Sequence, residues 1–418
     1  MEDVGYANWT CEDAGVTEFA VRPAVAEDYE EVSALFGGAM MFDPSPDDLR
    51  RRLFEPDRAL VATDGPEIIG TTRAVTRDLS VPGAVVPAAH VTGVGVRATH
   101  RRRGVMSALI TRQLREVPEA IAVLWASEPG IYGRFGYGAA AWGTSYEIDL
   151  HRVGPPDVRL RPGEVSELAA DSAVKELAPL LRSMQERRPG VSGRSELEWQ
   201  KHLEDKKDDR DGRTARQILV HRDETGAVDG YALWRGKMNW TATGPANEVL
   251  LEELVAIAPA AYSALWHHLL TLDLAATLGF GYAAIDEPIQ QLVTTPTALN
   301  RRVNESLWLR VTDVARALEQ RRYAVAVDLV FDLTDDLIPA NAGRFRLTAD
   351  GAEVRCERTE DAADLSLDVT ELGAAYLGGR PLAEFAATGR VTEHTPGALT
   401  TATTAFTWPI SPLSLEIF

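Results

Sequence analysis

The chain of 418 residues is 45% apolar and 25% charged, which predicts a globular protein of two or three compact units and excludes a disordered or fibrous one. Its 62 acidic and 43 basic residues give a formal net charge of −19, which argues against nucleic acid as a partner and favours a cationic one. The two cysteines, Cys11 and Cys356, match neither a disulfide framework nor a metal site. Residues 1–18 lack the apolar core of a signal peptide, and no segment is apolar enough for a membrane span, so we expect a cytoplasmic protein.

Residues 1–155 have the element order of one α/β domain around a mixed sheet. The elements predicted in chain order are a strand at 19–22, a helix beginning near Glu27, a hairpin of 59–63 and 68–75, a strand at 90–96, a helix at 105–117 and a strand at 121–126. Glu27 and Asp28 favour a helix start because negative charge stabilises the amide end of a helix. Gly65-Pro66 predicts the turn of the hairpin.

Residues 156–306 repeat this order more weakly. The predicted elements are a helix at 177–184 with Pro179 in its first turn, a charged, loop-rich stretch over 185–216, a hairpin of 218–221 and 231–234, a strand at 248–257 and a helix at 259–278. Ala258-Pro259 stands between the last two elements, where the first unit has a basic turn with a glycine. The repeat therefore predicts a duplicated domain in which only the first copy keeps a working site.

Residues 307–418 have a different pattern, typical of an α+β unit. The predicted elements are a strand in which Val325, Val327, Leu329 and Phe331 alternate, a hairpin around Asp350-Gly351, a strand at 365–369, and helices at 371–377, 381–388 and 396–406. The last six residues are mostly apolar and end in Phe418. An apolar, aromatic terminus favours a buried position, so we expect it to dock into the body of the protein.

The segment that carries chemistry lies between the strand at 90–96 and the helix that starts at 105. Gly93 and Gly95 flank Val94, and glycines inside a strand mark a bulge or a close approach of another backbone. A turn with the sequence RRRG, residues 101–104, follows directly before the helix. A helix N-terminus offers unpaired amides to phosphate, glycine lets the backbone come close, and arginine adds charge. A strand edge for an amide-rich arm beside a pyrophosphate site is what coenzyme A requires.

Arg101-x-x-Gly104 resembles the phosphate turn of the Gcn5-related N-acetyltransferases (GNAT), although Met106 stands where that family usually has a small residue. Residues 99–104, THRRRG, together with residues 131–138, IYGRFGYG, are similar to a narrower family, the Eis (enhanced intracellular survival) acetyltransferases. Residues 307–310, LWLR, and the aromatic C-terminus extend the resemblance over essentially the whole chain.

This resemblance implies an α/β (α+β) protein with two tandem GNAT-like domains, at 1–155 and 156–306, followed by a sterol-carrier-protein-like domain at 307–418. It implies acetyl-CoA as co-substrate, no metal, a homohexamer, and multi-site acetylation of amines such as aminoglycosides or lysine side chains. The predicted acetyl-CoA contacts are Val94, Gly95, Val96, Arg101, Arg102, Arg103, Gly104, Val105, Met106, Ser107, Ser127 and Glu128.

The resemblance also places the general acid on Tyr132 and the general base on the C-terminal carboxylate of Phe418. A tyrosine hydroxyl can protonate a coenzyme A thiolate when it lies near the sulfur. Packing roles for Tyr132 and Phe418 are the alternatives that the residues alone leave open. Ile417 stands before the terminus, where family members can carry an acidic residue, and Glu416 in an extended tail would point to the opposite side.

Two other readings of function compete with a small-molecule N-acetyltransferase. One is a lipid- or sterol-binding protein that uses the third domain. The other is an acyltransferase that takes longer acyl chains or modifies protein lysines, for which Gly93 and Gly95 would leave space. We expect the acceptor pocket to be lined by residues 40–48 and by the third domain. Asp43, Asp47 and Asp48 would attract a cation, but they equally suit the cap of the following helix.

Overall fold

The computed structural model describes residues 19–44, 48–154, 156 and 163–418, so the predictions for residues 1–18, Cys11 among them, and for Asp47 lie outside the described residues. The described chain forms two seven-stranded sheets, one five-stranded sheet and a small two-stranded sheet, with helices packed on the faces of the larger ones. In the described residues no helix is long and apolar enough to cross a membrane.

The first unit is built on a sheet that begins as an antiparallel meander. Its elements are β1 (Ala20–Pro23), α1 (Tyr29–Met40), α2 (Asp48–Arg52), β2 (Ala59–Asp64), β3 (Glu67–Val81), β4 (Ala84–Val96), α3 (Val105–Glu116), β5 (Ile121–Trp125), α4 (Pro129–Tyr132) and β6 (Gly138–Ala139). Each element predicted from the sequence of this unit is present. The long helices lie on opposite faces of the sheet, since Val61 of β2 clusters with Leu35 of α1, whereas its neighbour Leu60 clusters with Leu109 of α3.

The second unit repeats the hairpin, strand, helix and strand of the first. Its elements are β7 (Trp142–Asp149), β8 (Glu164–Glu167), α5 (Ala173–Gln185), α6 (Glu196–Leu203), β9 (Gln217–Arg222), β10 (Val228–Lys237), β11 (Trp240–Thr241), β12 (Gly244–Pro245), β13 (Asn247–Ala256), α7 (Pro259–Leu270), β14 (Ala275–Ala284) and β15 (Arg302–Glu305). β13 and β14 pair in parallel, so α7 is the crossover helix between them.

Two predictions for the second unit are wrong in detail. Pro179 lies in the middle of α5, because the buried face of that helix extends back to Ala173 and the helix therefore starts earlier. The helix predicted over 259–278 ends at Leu270, because the following residues are taken up by β14. The loop-rich stretch at 185–216 also contains α6, which was not predicted and whose first turn is held by a capping box between Ser195 and Glu198.

The third unit packs four helices against its five-stranded sheet. Its elements are β16 (Leu307–Val311), α8 (Val314–Glu319), β17 (Val327–Thr334), β18 (Gly343–Asp350), β19 (Glu353–Arg358), β20 (Leu365–Asp368), α9 (Val369–Ala375), α10 (Leu382–Ala386), β21 (Val391–Glu393) and α11 (Ala398–Phe406). The alternation predicted for β17 is confirmed from Val327 onward, but Val325 precedes the strand and is largely exposed. The strands β18 and β19 form the hairpin predicted around Asp350-Gly351.

A shared two-stranded ribbon joins the two large sheets. β16 pairs with β5 and β6 in the first sheet, whereas β7 and β15 belong to the second sheet. The antiparallel pairing runs from Leu309 opposite Gly138 to Arg302 opposite Ser145. The two segments of the ribbon, residues 138–145 and 302–309, therefore run side by side from the first sheet into the second. Each large sheet therefore contains strands from both sides of a predicted domain boundary, and the boundaries at 155/156 and 306/307 stay predictions.

The ribbon also sets how closely the first and third units approach each other. Gly138 of β6 packs against α9, where an added Cβ atom would collide with backbone atoms of Thr370 and Ala374. We predict that Gly138→Ala lowers the free energy of unfolding by about 1–3 kcal/mol, because neither backbone can move aside easily.

The matched control is Gly281→Ala in β14, where an added Cβ has open space around it. It should stay within about 0.5 kcal/mol of the parent protein. Urea unfolding followed by tryptophan fluorescence measures both variants. Equal stabilities of the two variants would contradict the close packing at Gly138.

Candidate active site

An opening between two strands of the first sheet forms one side of the site. β4 and β5 pair in parallel only at Ala89 with Ala122 and at His90 with Val123. β4 then continues to Val96 and β5 to Trp125 without further pairing to each other in the described structure. The peptide groups on this side of residues 91–96 are therefore available to an extended ligand, as the two glycines predicted.

A bulge in β4 shapes this edge. Thr71 of β3 faces Gly95, but Arg73 faces Thr92, so the register shifts across Gly93 and Val94. Gly93 has φ of +62°, a conformation that favours glycine. Gly95 lies tight against α1, since an added Cβ would sit 3.2 Å from side-chain carbons of Leu35 and Ala39. The two glycines thus have separate roles: one turns the strand and the other admits the helix.

The basic turn leads into the N-terminus of α3. Arg102 and Gly104 both have positive φ, 62° and 81°, and Gly104 is the N-cap residue of the 12-residue helix. A turn of this kind points successive amides toward one side and forms a concavity that binds anions. Because the cap carries no side chain and nothing lies within 4 Å of the place where its Cβ would be, the helix end is open to a phosphate group.

These features line one cavity of about 640 Å³, a size typical of cofactor sites. It is lined by the predicted contacts Val94, Gly95, Val96, Arg101, Arg102, Gly104, Val105, Met106, Ser107, Ser127 and Glu128, and also by Tyr132. Arg103, in the same turn, is exposed and lies outside the lining. The residues present therefore fit coenzyme A: the N-terminus of α3 suits its pyrophosphate, and the open edge of β4 suits its amide-rich arm.

Tyr132 ends the short helix α4 on the wall of this cavity. Its side chain is 5% exposed and packs edge-on against Tyr137, with the ring centroids 6.0 Å apart. Burial, followed by the charge of Glu128, raises the pKa of Tyr132. The hydroxyl therefore stays protonated at neutral pH and can act as a proton donor. Tyr137 is fully buried in the same cluster, as expected for a packing residue.

The C-terminal segment is docked into the second unit, as the apolar terminus predicted. Leu413 and Leu415 share a buried cluster with Val255 of β13 and Ala284 of β14. The Leu413 amide donates to the Pro189 carbonyl at 2.9 Å, and the Trp125 indole donates to Ser414 Oγ at 2.9 Å. The tail therefore occupies the place in the second copy that corresponds to the opening beside β4 in the first.

A charged cluster fixes the tail near its end. Arg77 of β3 and Arg194 both bind the carboxylate of Glu416. Arg194 also pairs with the buried Glu253 of β13 at 2.6 Å, and Arg77 pairs with Glu198 of α6 at 2.9 Å. Burial would raise the pKa of Glu416, but the charges of Arg194 and Arg77 outweigh it and lower the pKa to about 2. Glu416 is therefore ionised at neutral pH and joins the first unit, the second unit and the tail.

Phe418 lies two residues beyond this cluster, at the edge of a second cavity of about 640 Å³. Its ring faces His90 of β4, with centroids 4.7 Å apart, and His90 Nε2 lies 2.8 Å from Ser192 Oγ. Burial lowers the pKa of His90 to about 3, so the imidazole is neutral. Thr92 lines this second cavity and Val94 the first. The strand β4 therefore lies between Tyr132, the predicted general acid, and Phe418, the predicted general base.

The role of the residues that hold the tail was not predicted from the sequence. Arg77, Arg194, Glu253 and Glu416 come from four separate segments, and no local motif connects them. The second cavity, on the side predicted for the acceptor, matches the prediction in part. It contains Phe42 from the predicted segment 40–48 and the tail of the predicted third domain, residues 416–418. Its other walls, which were not predicted, come from α1, the region of α2, β3, β4 and α6. Asp43 and Asp48 are exposed and are not among its lining residues.

Comparison with known proteins agrees with this geometry. Residues 20–140 and 190–311 each match the sequence model of an acetyltransferase (GNAT) domain, and residues 314–414 match a sterol carrier protein domain. The fold and site thus define an acetyltransferase of the GNAT class.

Individual relatives narrow the class to a family. The chain is 41% identical to an uncharacterized N-acetyltransferase of Streptomyces avermitilis over 92% of this chain and 95% of the relative. It is 32% identical to the N-acetyltransferase Eis of Mycobacterium tuberculosis over 82% of this chain and 84% of the relative. The crystal structure of Eis1 from Mycobacterium abscessus superposes with a TM-score of 0.82, at 33% identity, over 96% of this chain and all of that one. The chain belongs to the Eis family of N-acetyltransferases.

The charge of Glu416 can be removed without changing its shape. We predict that Glu416→Gln lowers the free energy of unfolding at pH 7 by about 1.5–3 kcal/mol, because two buried guanidinium groups lose a charged partner. The folded-state pKa of Glu416 is depressed to about 2. Its stabilising effect is thus fully present above the unfolded pKa of about 4.3 and is lost as the pH falls toward 2.

Thermal and urea unfolding of the parent and the variant at pH 7, 5, 4 and 3 measure this difference. The gap between the two proteins should be constant from pH 7 to pH 5 and narrow at pH 4 and below. The exposed Glu224→Gln variant serves as the control and should differ from the parent by less than about 0.5 kcal/mol. A Glu416→Gln protein as stable as this control would show that the cluster does not hold the tail.

Proposed function

We propose that this enzyme moves the acetyl group of acetyl-CoA directly to an amine, with Tyr132 as general acid and the Phe418 carboxylate as general base. The observation that carries the proposal is the position of β4, which lines the cofactor cavity with residues 94–96 and the second cavity with Thr92. A thioester held along β4 would lie between a buried, protonated tyrosine and the C-terminus.

Acetyl-CoA supplies an acetyl group already activated as a thioester. The Phe418 carboxylate, directly or through a water, takes a proton from the amine as its nitrogen bonds to the acetyl carbon. Tyr132 gives its proton to the sulfur as the carbon–sulfur bond breaks, and the raised pKa ensures that this proton is present at neutral pH. Backbone amides of the β4 edge would hold the thioester carbonyl, as donors fixed in advance stabilise developing negative charge.

The second proposed element is the acceptor. The resemblance to Eis and the net charge of −19 support a polycationic amine of the aminoglycoside type, acetylated at one or more sites. A homohexamer also stays a prediction from the resemblance. The lipid-binding alternative has less support, because a cavity of about 410 Å³ in the third unit has four charged side chains in its lining. They are Asp328, Asp350, Glu353 and Arg355, beside Thr348 and the small apolar residues Ala326, Val327 and Ala349.

Tyr132→Phe tests the general acid. We predict that it lowers kcat by about 100-fold or more, since positioned acid–base catalysis contributes about 10²–10⁴-fold, while the affinity for acetyl-CoA stays the same. Thiol release with an amine acceptor measures kcat, and calorimetry measures acetyl-CoA binding. Tyr137→Phe is the matched control, because its hydroxyl is buried without a hydrogen-bond partner in the described structure, so its loss should leave kcat nearly unchanged. Equal kcat for both variants would refute the role of Tyr132.

A C-terminal extension tests the base. Two glycines added after Phe418 move the carboxylate away while leaving Glu416 and Leu415 in the sequence. We expect thiol release to fall at least about 100-fold with unchanged acetyl-CoA binding and nearly unchanged thermal stability. The same two glycines inserted after Gly226, in the exposed turn between β9 and β10, control for the insertion itself and should preserve activity. Parent-like rates in the extended protein would exclude the terminal carboxylate as the base.

A further inference from the structure

The cavity on the acceptor side of β4 has a charge that the net charge of the protein does not suggest. Its floor is one face of β3, which presents Arg73, Val75 and Arg77 at alternate positions. Arg50 and Lys201 also line it, and its described acidic side chains are Glu198 and Glu416. The cavity therefore has more cationic than anionic side chains among its described residues.

Both side-chain carboxylates of this cavity are already paired. Glu416 binds Arg77 and Arg194, and Glu198 binds Arg77 at 2.9 Å. Glu198 also accepts from the Ser195 amide in the capping box of α6, at 2.6 Å. Neither side chain can bind an incoming ammonium group without giving up an existing partner, which leaves the terminal carboxylate of Phe418, the proposed base, for the reacting amine.

Arg73 is in the opposite situation. Within the described residues it has no hydrogen bond and no ion pair, although its side chain is largely covered. Its Nε lies only 3.2 Å from where a Cβ of Gly93 would be, so it packs on the bulge that precedes Val94. The guanidinium group thus lies between the second cavity and β4, the strand along which the acetyl donor is proposed to bind.

The surroundings of Arg73 favour an anion. Burial and the charge of Arg50 lower the pKa of Arg73 and outweigh the opposing contributions of Tyr29 and Glu55, so the charge of Arg73 is only partly compensated. An unpaired guanidinium group carries one charge and a planar set of donors, and a carboxylate matches it in both respects. The other lining residues include Phe36, Phe42, Leu53 and Ile417, which suit an apolar body.

We propose that the acceptor cavity binds an amine with an apolar body and a carboxylate, such as an aromatic amino acid or a small peptide, and that Arg73 binds the carboxylate. This inference rests on the proposed N-acetyltransferase function and adds a carboxylate-bearing amine to the polycationic acceptors proposed above. The product is an N-acetylated acid, with the acetyl group supplied by acetyl-CoA. Arg73 is the residue that determines this specificity.

The experiment compares acceptors that differ in the carboxylate alone or nearly so. One pair is L-phenylalanine and 2-phenylethylamine, and the other is phenylalanyl-phenylalanine and its C-terminal amide. Kanamycin and spermine represent polycations. Thiol release from acetyl-CoA by the full-length protein gives kcat/KM for each acceptor. The same series is run with Arg73→Gln and Arg73→Lys, so that differences in amine basicity cancel when the ratios are compared between proteins.

We expect the parent protein to prefer the carboxylate member of at least one pair by about 10- to 100-fold, the effect of one charge-assisted bidentate contact. Arg73→Gln should abolish this preference, mainly through KM, and Arg73→Lys should restore part of it. If Arg73→Gln does not fold, as judged by thermal unfolding and acetyl-CoA binding, the inference is decided by whether the parent protein prefers the carboxylate member of a pair.

Several results would overturn the inference. Equal or higher kcat/KM for the member without a carboxylate in both pairs would contradict it. A preference for the carboxylate that survives in Arg73→Gln would also contradict it. A kcat loss in Arg73→Gln that is the same for every acceptor would show that Arg73 serves the terminal carboxylate instead. Thiol release with kanamycin or spermine only would reject the carboxylate acceptor and keep the acetyltransferase. No release with any amine would count against both proposals.

Discussion

Glu416 lies between Arg77 of the first unit and Arg194 of the second, and Arg194 also holds the buried Glu253. Charges removed from water are tolerated only when they are paired with good geometry, and a buried pair loses much of its benefit if one partner is displaced. The cluster therefore permits one register of the tail. Since Phe418 lies two residues further on, this register also determines where the terminal carboxylate is held. The site is complete only when both GNAT units and the tail are assembled.

The two cavities on either side of β4 are built in different ways. The cofactor side relies on backbone: the open edge of the strand, the positive φ values of Arg102 and Gly104, and the first turn of α3. The acceptor side relies on side chains, among them those of β3, α6 and the tail. Backbone recognition tolerates changes in side chains, which is compatible with Met106 at a place where a small residue is usual. Recognition on the acceptor side depends instead on individual side chains.

The charge of the acceptor cavity also differs from that of the protein as a whole. The net charge of −19 acts on an approaching ligand from a distance, but salt screens it within about 10 Å. Inside the cavity the nearest groups decide, and Arg73 is the one without a partner among the described residues. A surface that attracts cations and a pocket that selects an anionic group are therefore compatible. The duplicated second unit contributes to this arrangement, because its own opening holds Leu413 and Leu415 instead of a cofactor.

The sequence by itself determined the fold class and the family, and it pointed to the segments that line the first cavity. The first cavity depends on two contiguous segments, residues 93–107 and 127–132. Their backbone conformation is set by glycines and turn residues within the same segments. The capping box Ser195-x-x-Glu198 is likewise a local sequence signal and predicts the start of α6. Only the tertiary structure decided the exchange of β7 and β16 between sheets, the Arg77–Glu416–Arg194 cluster and the unpaired Arg73. Each of these depends on which distant segments meet and on which charges find partners there, and neither follows from the order of residues along the chain.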